Sequence, residues 1–173
     1  PPFSRFLTSA ALSNGQLLNF ASLANAAEVP ASTIREYYSI LEDTLLGFFL
    51  EPYTKTKKRK AISTAKFYFF DVGVVHALSE TKNIDRNSDL YGKAFEHFIA
   101  MEIRAFLSYT KSDEKLMFWR SKHGHEVDCL VGERLAIEVK ATRKIRESDL
   151  SGLRALAEEK ICRQYIVVSH DPH

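Results

Sequence analysis

The chain has 173 residues, of which 45% are hydrophobic and 27% are charged, and its formal net charge is +2. The apolar content is sufficient for one large packed domain or two small ones. The small net charge excludes a surface that is cationic all over, so contact with nucleic acid would need a local basic patch.

Membrane-spanning and disulfide-rich proteins are also excluded. No apolar run approaches the roughly 20 residues that a membrane-spanning helix needs, and no signal peptide is recognisable. The two cysteines, Cys129 and Cys162, lie in apolar, strand-like runs whose spacing suits neither a disulfide framework nor a metal site. We therefore expect a cytoplasmic protein with reduced core thiols and no membrane contact. Because the chain begins with Pro-Pro and not with Met, we also expect it to be a piece of a longer protein.

Three helical patterns occupy the beginning of the chain. We predict helices over about Pro2–Leu12, Leu17–Ala26 and Ala31–Thr44. The third helix carries apolar residues at helical spacing, at Ile34, Tyr37, Tyr38, Leu41 and Leu45. A short helix, a tight turn and a longer helix form the helix-turn-helix arrangement.

A two-stranded wing is predicted to follow these helices. Its strands run over about Leu46–Tyr53 and Lys66–Phe70, and the polar segment Lys55–Lys60 lies between them. Asp71 is suited to cap a further helix that runs to about Leu78. Three helices followed by such a hairpin indicate a winged helix-turn-helix domain.

The polar segment of the wing carries five cations among six residues, a composition that suits contacts with phosphate groups. The candidate nucleic-acid contacts are Lys57, Lys58, Arg59 and Lys60, together with Arg35 on the outward face of the third helix. That face otherwise carries serine, threonine and glutamate, whereas base edges are read most often by Arg, Lys, Asn or Gln. A charged wing tip can instead be a solvated hairpin that resists edge pairing. Contact with a protein remains an alternative to base recognition.

Beyond a polar linker, the pattern predicts the order helix, three strands, helix, strand. The first helix runs over about Tyr91–Tyr109, with an apolar stripe of Phe95, Phe98, Ile99, Ile103 and Phe106. A helix over Glu147–Lys160, with Ser148 as its cap, and a buried strand over Arg163–Ser169 complete the order.

The second and third of these strands form a predicted hairpin. They run over about His125–Val131 and Leu135–Lys140, and the loop Gly132–Arg134 separates them. In each strand apolar residues occupy one side, and the charged residues occupy the other. If the loop has three residues, a common hairpin length, Val131 faces Leu135.

In that register Asp128 lies directly opposite Glu138 and Glu126 lies opposite Lys140, with Cβ atoms roughly 5 Å apart. Two carboxylates at this spacing repel each other unless a cation lies between them, and a hard divalent cation such as Mg²⁺ is bound through oxygen. A two-residue turn would instead put Asp128 on the other face and remove the site. An amphipathic edge with a cross-strand ion pair is the alternative interpretation.

An aspartate, a short hairpin and then Glu138-x-Lys140 resemble the PD-(D/E)XK nuclease superfamily. The resemblance implies that Asp128 and Glu138 hold a metal ion and that Lys140 orients the attacking water or stabilises charge on the phosphate. The physical chemistry agrees with these roles, because a bound metal acidifies water and neutralises a phosphoryl oxygen, and an ammonium adds positive charge.

Several motifs extend the resemblance along most of the chain. They are Lys66-x-Tyr68-x-x-Asp71-x-Gly73, Gly92-x-x-Phe95-Glu96-x-Phe98 followed by Glu102, Phe118-Trp119-Arg120-x-Lys122, Glu126-Val127-Asp128 and Glu138-Val139-Lys140-Ala141. In this combination the chain is similar to the uncharacterised domain that follows the P-loop ATPase core in a large group of bacterial and archaeal AAA-type ATPases. The resemblance implies a PD-(D/E)XK-like fold, Glu96 as a further carboxylate of the site, and the ATPase core of the same polypeptide as a partner. No Gly-x-x-x-x-Gly-Lys-Ser/Thr occurs, so this chain has no ATP site of its own.

These observations predict an α/β (α+β) protein, with a winged helix-turn-helix domain at residues 1–80, a linker at 81–89 and a PD-(D/E)XK restriction-endonuclease-like αβββαβ domain at 90–173. The first hypothesis is a Mg²⁺- or Mn²⁺-dependent hydrolase that cleaves DNA phosphodiester bonds. Its metal ligands are Glu96, Asp128 and Glu138, its catalytic residues are Asp128, Glu138 and Lys140, and its backbone contacts include Arg143 and Lys144. The second hypothesis is a catalytically silent module that binds DNA or protein and couples it to the ATPase core. The substrate structure and the oligomeric state stay open.

Overall fold

The computed structural model describes residues 1–172, which contain six α-helices and six β-strands. The chain therefore has the predicted mixed α and β class. Contacts between residues divide it into two units. The first comprises Pro1–Leu50 and Ala65–Ile84, and the second comprises Glu51–Thr64 together with the chain from Asp85 onward. Among the described residues, no helix has both the length and the apolar character needed to cross a bilayer.

The first unit contains four helices and a hairpin. The helices are α1 (Pro2–Leu12), α2 (Phe20–Ala27), α3 (Ala31–Asp43) and α4 (Val72–Leu78), and the strands are β1 (Gly47–Pro52) and β2 (Lys66–Phe69), which pair antiparallel. Asn19 caps α2 and Asp71 caps α4, because each side chain accepts a hydrogen bond of 3.0 Å from the backbone N–H three residues later. The cap at Asp71 is as predicted. Helix α2 begins later than predicted, since Leu17 forms a β-bridge with Lys66.

Aromatic side chains form the core of the first unit. Phe6 of α1, Tyr38 of α3 and Phe67 of β2 are buried, and the ring centroids of Phe6 and Phe67 lie 5.0 Å and 4.7 Å from that of Tyr38. Leu45, which we predicted on the apolar stripe of the third helix with Tyr38, is 76% exposed. That prediction was wrong because α3 ends at Asp43 and the backbone at Leu45 is left-handed, with φ of 61°.

The second unit contains the end of β1, two helices and four further strands. They are α5 (Asp89–Tyr109), β3 (Leu116–Arg120), β4 (Glu126–Val131), β5 (Leu135–Lys140), α6 (Ser151–Ala157) and β6 (Gln164–Ser169). Strand β4 pairs antiparallel with β3 and β5, whereas β5 and β6 are parallel. The order helix, three strands, helix, strand is the predicted one.

The two helices cover opposite faces of this sheet. Ala100 of α5 clusters with Ile137 of β5, and Leu156 of α6 clusters with Ala136 of β5. Because neighbouring residues of a strand point to opposite faces, α5 and α6 lie on different sides. Both faces of β4 and β5 are therefore buried, including the face that carries the charged residues.

Two residues of the predicted stripe on α5 are exposed. Phe98 is 51% and Phe106 is 65% accessible, while His97 and Ala100 are the buried positions. Successive helical residues are rotated by about 100°, so Phe98 turns away from its neighbour Ile99, which packs against the core. Phe106 lies in the last turn of the helix. The predicted stripe was therefore wrong at these two positions.

The end of the chain also differs from the prediction. A 3-10 turn, Glu147–Leu150, precedes α6, and Ser148, which we predicted as the cap, lies inside this turn. The backbone N–H of Arg146 donates to Oδ2 of Asp149 at 2.8 Å. Strand β6 was predicted to be buried, but Ile166 is exposed. Within the described residues β6 pairs only with β5, and an edge strand is covered on fewer sides.

Candidate active site

The hairpin of β4 and β5 has the predicted three-residue loop. Val131 pairs with Leu135, as expected, and the ladder continues to Cys129 and Ile137. It ends there, one residue before the predicted pair of Asp128 and Glu138. The hairpin therefore opens at the position of the two carboxylates.

A β-bulge in the pairing of β4 with β3 lies at the same position. Between the pairs Met117–Leu130 and Trp119–Val127, two residues of β4 oppose only Phe118 of β3. Such a bulge bends the strand and changes the direction of a side chain. One of the two residues is Asp128.

The carboxylate of Asp128 is held by the neighbouring strand. Its Oδ2 accepts a hydrogen bond of 2.7 Å from the backbone N–H of Val139, and the residue is buried. The same irregularity alters the packing of Val127, which we expected on the side of Cys129. Val127 instead belongs to the cluster that contains Leu130. The aspartate is thus fixed by a backbone bond that sequence alternation could not indicate.

Glu138 is the most unusual polar group of the unit. The residue is 4% exposed, its Oε1 lies 2.6 Å from Lys140 Nζ, and its Oε2 is buried without a hydrogen-bond partner among the described residues. Burial raises the pKa of Glu138; the contact with Lys140 lowers it, and the nearby charges of Glu126 and Glu96 raise it. The net effect is a pKa above the ordinary value. A buried polar atom without a partner is costly, and a bound cation would remove that cost.

Lys140 remains a cation in this setting. Its partial burial lowers its pKa, but the contact with Glu138 and the charges of Asp128 and Asp149 raise it above the ordinary value. A protonated ammonium cannot act as a general base, but it can donate hydrogen bonds and stabilise negative charge. The predicted cross-strand partner, Glu126, lies 3.2 Å from Arg120 Nη1.

Glu96 approaches the site from α5. The negative charge of Glu96 raises the pKa of Glu138, and Glu96 lines the same cleft as Asp128 and Lys140. However, no three His, Cys, Asp or Glu side chains in the described part of the chain are grouped closely enough to hold a metal ion. The predicted set of Glu96, Asp128 and Glu138 is therefore not assembled as three direct ligands.

The donor atoms nevertheless suit a magnesium ion held by two carboxylates. Asp128 and Glu138 offer only oxygen, and Oε2 of Glu138 is a buried acceptor without a partner in the described residues. Mg²⁺ usually keeps several waters and is bound through one or two carboxylates plus substrate phosphates. Each of the two carboxylates therefore offers donor atoms of the kind that Mg²⁺ prefers.

A cleft with a volume of about 1580 Å³ opens beside these residues. Among the described residues that line it, six are basic and four are acidic. The basic ones are Arg86, Lys93, Lys140, Arg143, Lys144 and Arg146. Arg143 and Lys144, both predicted to contact nucleic acid, therefore lie in the same cleft as Asp128. Basic side chains therefore outnumber acidic ones in the lining of this cleft.

The loop that carries Arg143 and Lys144 is ordered by backbone contacts. The N–H of Ile145 donates to Asp171 Oδ2 at 2.8 Å, and the N–H of His170 donates to the carbonyl oxygen of Thr142 at 3.0 Å. Sequence reasoning singled out the basic loop with Arg143, Lys144 and Arg146, but it did not identify Arg86 or Lys93 as part of this wall. Lys93 could have been found, since it precedes Glu96 by one helical turn.

The remaining predicted contacts lie outside the cleft. The guanidinium of Arg35 stacks over the ring of Phe20 in the first unit, 4.8 Å from its centroid, where it makes a cation–π contact. Lys57, Lys58, Arg59 and Lys60 belong to a loop of the second unit. They therefore do not form the tip of a wing on the first unit, because residues Glu51 and Pro52 pair with β3 and carry the segment into the second unit.

Two family models match the chain. Residues 1–85 match a domain of unknown function, DUF8612, and residues 91–172 match a second domain of unknown function, DUF4143. The second half resembles a DUF4143 domain. Such domains are commonly associated with AAA-type ATPases, which agrees with that part of the resemblance seen in the sequence. No curated protein and no solved structure matches the chain significantly.

Proposed function

We propose that the DUF4143-like part of the chain is a divalent-metal-dependent phosphodiesterase of the PD-(D/E)XK type that acts on DNA. The observation that carries this proposal is the buried Oε2 of Glu138, which has no partner in the described residues and lies on the hairpin that fixes Asp128. Buried acceptors without partners and shifted pKa values are typical of functional sites.

The residues of the cleft, together with Glu138 beside Lys140, divide the work between binding and charge stabilisation. Asp128 and Glu138 would hold Mg²⁺ or Mn²⁺, and the bound ion would supply an acidified water and neutralise charge on the phosphate. Lys140, protonated beside Glu138, donates to the phosphate or orients the water. Glu96 supports the site electrostatically from α5, and the loop with Arg143 and Lys144 holds the DNA backbone.

The proposal extends to the architecture. The order αβββαβ, with a helix on each face of the sheet, is consistent with a PD-(D/E)XK-like domain. The helices and hairpin of the first unit are consistent with a winged helix-turn-helix that contacts DNA or protein. The association of DUF4143 domains with AAA-type ATPases supports a P-loop ATPase core of the same polypeptide as the partner.

Calorimetry with Mg²⁺ and Mn²⁺ tests the metal site directly. The parent chain is compared with Asp128→Asn and Glu138→Gln, and with Glu102→Gln as a matched control on the exposed side of α5. We expect saturable binding that both site variants lose and the control keeps, followed by Mn²⁺-dependent cleavage of DNA in the parent and control only. Absence of metal binding with and without added DNA would contradict the proposal, as would equal binding by all four proteins.

A silent DNA-binding module is the second candidate. It is favoured by the absence of a three-ligand group in the described residues and by the contact of Glu138 with Lys140. In that case Arg143→Gln with Lys144→Gln would weaken DNA binding, whereas Asp128→Asn would leave it unchanged and no cleavage would occur. Fluorescence anisotropy with labelled DNA, run in parallel with the cleavage assay, separates the two functions.

A further inference from the structure

A second, smaller pocket lies in the same unit, in the loop between β1 and β2. Its volume is about 520 Å³, and its polar lining consists of Lys60, Lys122, Thr54, Thr56 and Ser63. Among the described residues that line it there is no carboxylate. The pocket shares none of its lining residues with the cleft of Asp128.

The outer part of this loop is held by Glu159. The covered carboxylate of Glu159 accepts the backbone N–H groups of Lys57, Lys58 and Arg59 at 2.8, 2.9 and 2.8 Å. The guanidinium of Arg59 donates to the carbonyl oxygen of Ala155 at 3.1 Å and contacts Glu158 at 2.7 Å. Arg59, predicted as a nucleic-acid contact, is thus engaged within the unit. The basic segment is a fixed surface of the second unit.

The inner part of the loop is joined to the turn after β3. Ala61 forms a β-bridge with Ser121, and the N–H of Lys122 donates to the carbonyl oxygen of Lys60 at 2.9 Å. The N–H of Ile62 donates to the carbonyl oxygen of Arg120 at 2.8 Å. These bonds bring the two lysines, which are far apart in sequence, next to each other.

The groups around the pocket are predominantly hydrogen-bond donors. The hydroxyl of Thr56 donates to the carbonyl oxygen of Arg59 at 2.6 Å, so its hydrogen is already used. The two ammonium groups, with the hydroxyls of Thr54 and Ser63, can donate to a ligand. Ammonium groups have no acceptor and hydroxyls can donate, so this set favours an oxyanion over a cation.

We propose that this pocket binds a phosphate group through Lys60 and Lys122. The phosphate can belong to a nucleic-acid backbone or to a free phosphate compound, since the recognising chemistry is the same. The inference goes beyond the proposed function, because it requires neither a metal ion nor cleavage. A failure of metal binding at Asp128 would leave it intact.

The test uses amide chemical shifts of the full 173-residue chain, titrated with inorganic phosphate and, separately, with a short single-stranded oligodeoxynucleotide. The double variant Lys60→Gln with Lys122→Gln is compared with Lys57→Gln with Lys58→Gln, which removes the same amount of charge outside the pocket, from the loop that carries Lys60. We expect phosphate to shift the amides around Lys60 and Lys122, and the pocket variant to bind it about tenfold more weakly or worse, as the loss of charged hydrogen bonds implies. The control variant should bind inorganic phosphate with an affinity within about twofold of that of the parent.

The oligonucleotide arm distinguishes the two sources of phosphate. If the pocket receives the DNA backbone, the pocket variant should also flatten the dependence of affinity on salt by about one unit of slope per lysine. If oligonucleotide binding is unchanged while phosphate binding is lost, the pocket serves a free phosphate compound. The proposal would be overturned if the pocket variant and the control variant lost phosphate affinity equally. It would also be overturned if phosphate shifted the amides of all basic segments alike. Unchanged shifts of the core amides in both variants confirm that folding is not the cause.

Discussion

Two covered carboxylates of the second unit, Glu138 beside Lys140 and Glu159 at the basic loop, lie in opposite surroundings. Glu159 receives three backbone N–H groups, whereas Glu138 shares one oxygen with Lys140 and keeps the other without a partner in the described residues. Burial alone raises the pKa of both. At Glu159 the three amides and Arg59 outweigh it and lower the pKa, while at Glu138 burial prevails and the pKa is raised.

The difference separates a structural acid from a candidate functional one. Both oxygens of Glu159 accept backbone N–H groups of one loop, so the carboxylate has little capacity left for a ligand. Glu138 is held in an unfavourable state, which a cation would relieve. The same substitution, glutamate to glutamine, should therefore have different consequences at Glu138 and at Glu159.

The largest effect is expected from Glu138→Gln. The amide keeps the shape but loses the negative charge, so we expect loss of metal binding and a decrease in DNA cleavage of about 100-fold or more. Stability should change by less than about 1 kcal/mol, because burial disfavours the charged form of Glu138 and the partly exposed Lys140 remains in contact with solvent when the ion pair is lost. Single-turnover cleavage and urea unfolding measure the two quantities. Retained cleavage, or lost cleavage together with global unfolding, would contradict the assignment.

Gly152→Ala should destabilise the second unit by displacing α6 from β4. Gly152 lies in α6, and a Cβ atom there would overlap the carbonyl oxygen of Glu126 in β4. Overpacking of this kind costs about 1–3 kcal/mol. Gly92→Ala in α5 is the matched control, since the space around Gly92 is open and alanine favours a helix. Thermal unfolding should rank the control at or above the parent; equal stability of the two variants would refute the close contact.

Glu159→Gln should lower the free energy of unfolding by about 1–2 kcal/mol, because an amide cannot accept all three N–H bonds and carries no charge. Cleavage at the distant cleft should be unaffected. Glu158→Gln removes an exposed ion pair with Arg59 and should have a much smaller effect. Hydrogen exchange at the amides of Lys57–Arg59 reports on the loop directly. Unchanged protection in Glu159→Gln would show that the carboxylate does not hold it.

The smallest effect is the pH dependence, which should have opposite signs at the two residues. The stabilisation from Glu159, whose pKa is lowered, is present above the ordinary value of 4.5 and is lost as pH falls below it. Glu138, whose pKa is raised, binds its proton more readily when folded, so the parent gains stability as pH falls towards 4.5. Unfolding curves of the parent and both Gln variants between pH 7 and pH 3 check these signs. A parallel response of the two variants would be incompatible with the different surroundings.

The two hairpins illustrate how far sequence reasoning extends. The β4–β5 hairpin has a short loop, so turn length and alternation correctly predicted β5 and the pairing of Val131 with Leu135. The β1–β2 hairpin contains a long segment, and its strands were predicted within one residue of their ends. The position of that segment in the second unit could not be predicted from the sequence. The backbone N–H of Arg59 donates to Glu159, which is 100 residues away in the chain.

The sequence by itself determined the helices and strands, the cap at Asp71, and the presence of Asp128, Glu138 and Lys140 on one hairpin, because these depend on propensity, periodicity and turn length. Only the tertiary structure decided the bulge at Asp128, the unsatisfied oxygen of Glu138 and the position of the basic loop. Each of these results from contacts between residues distant in the chain, where packing on both faces of the sheet overrides the local pattern.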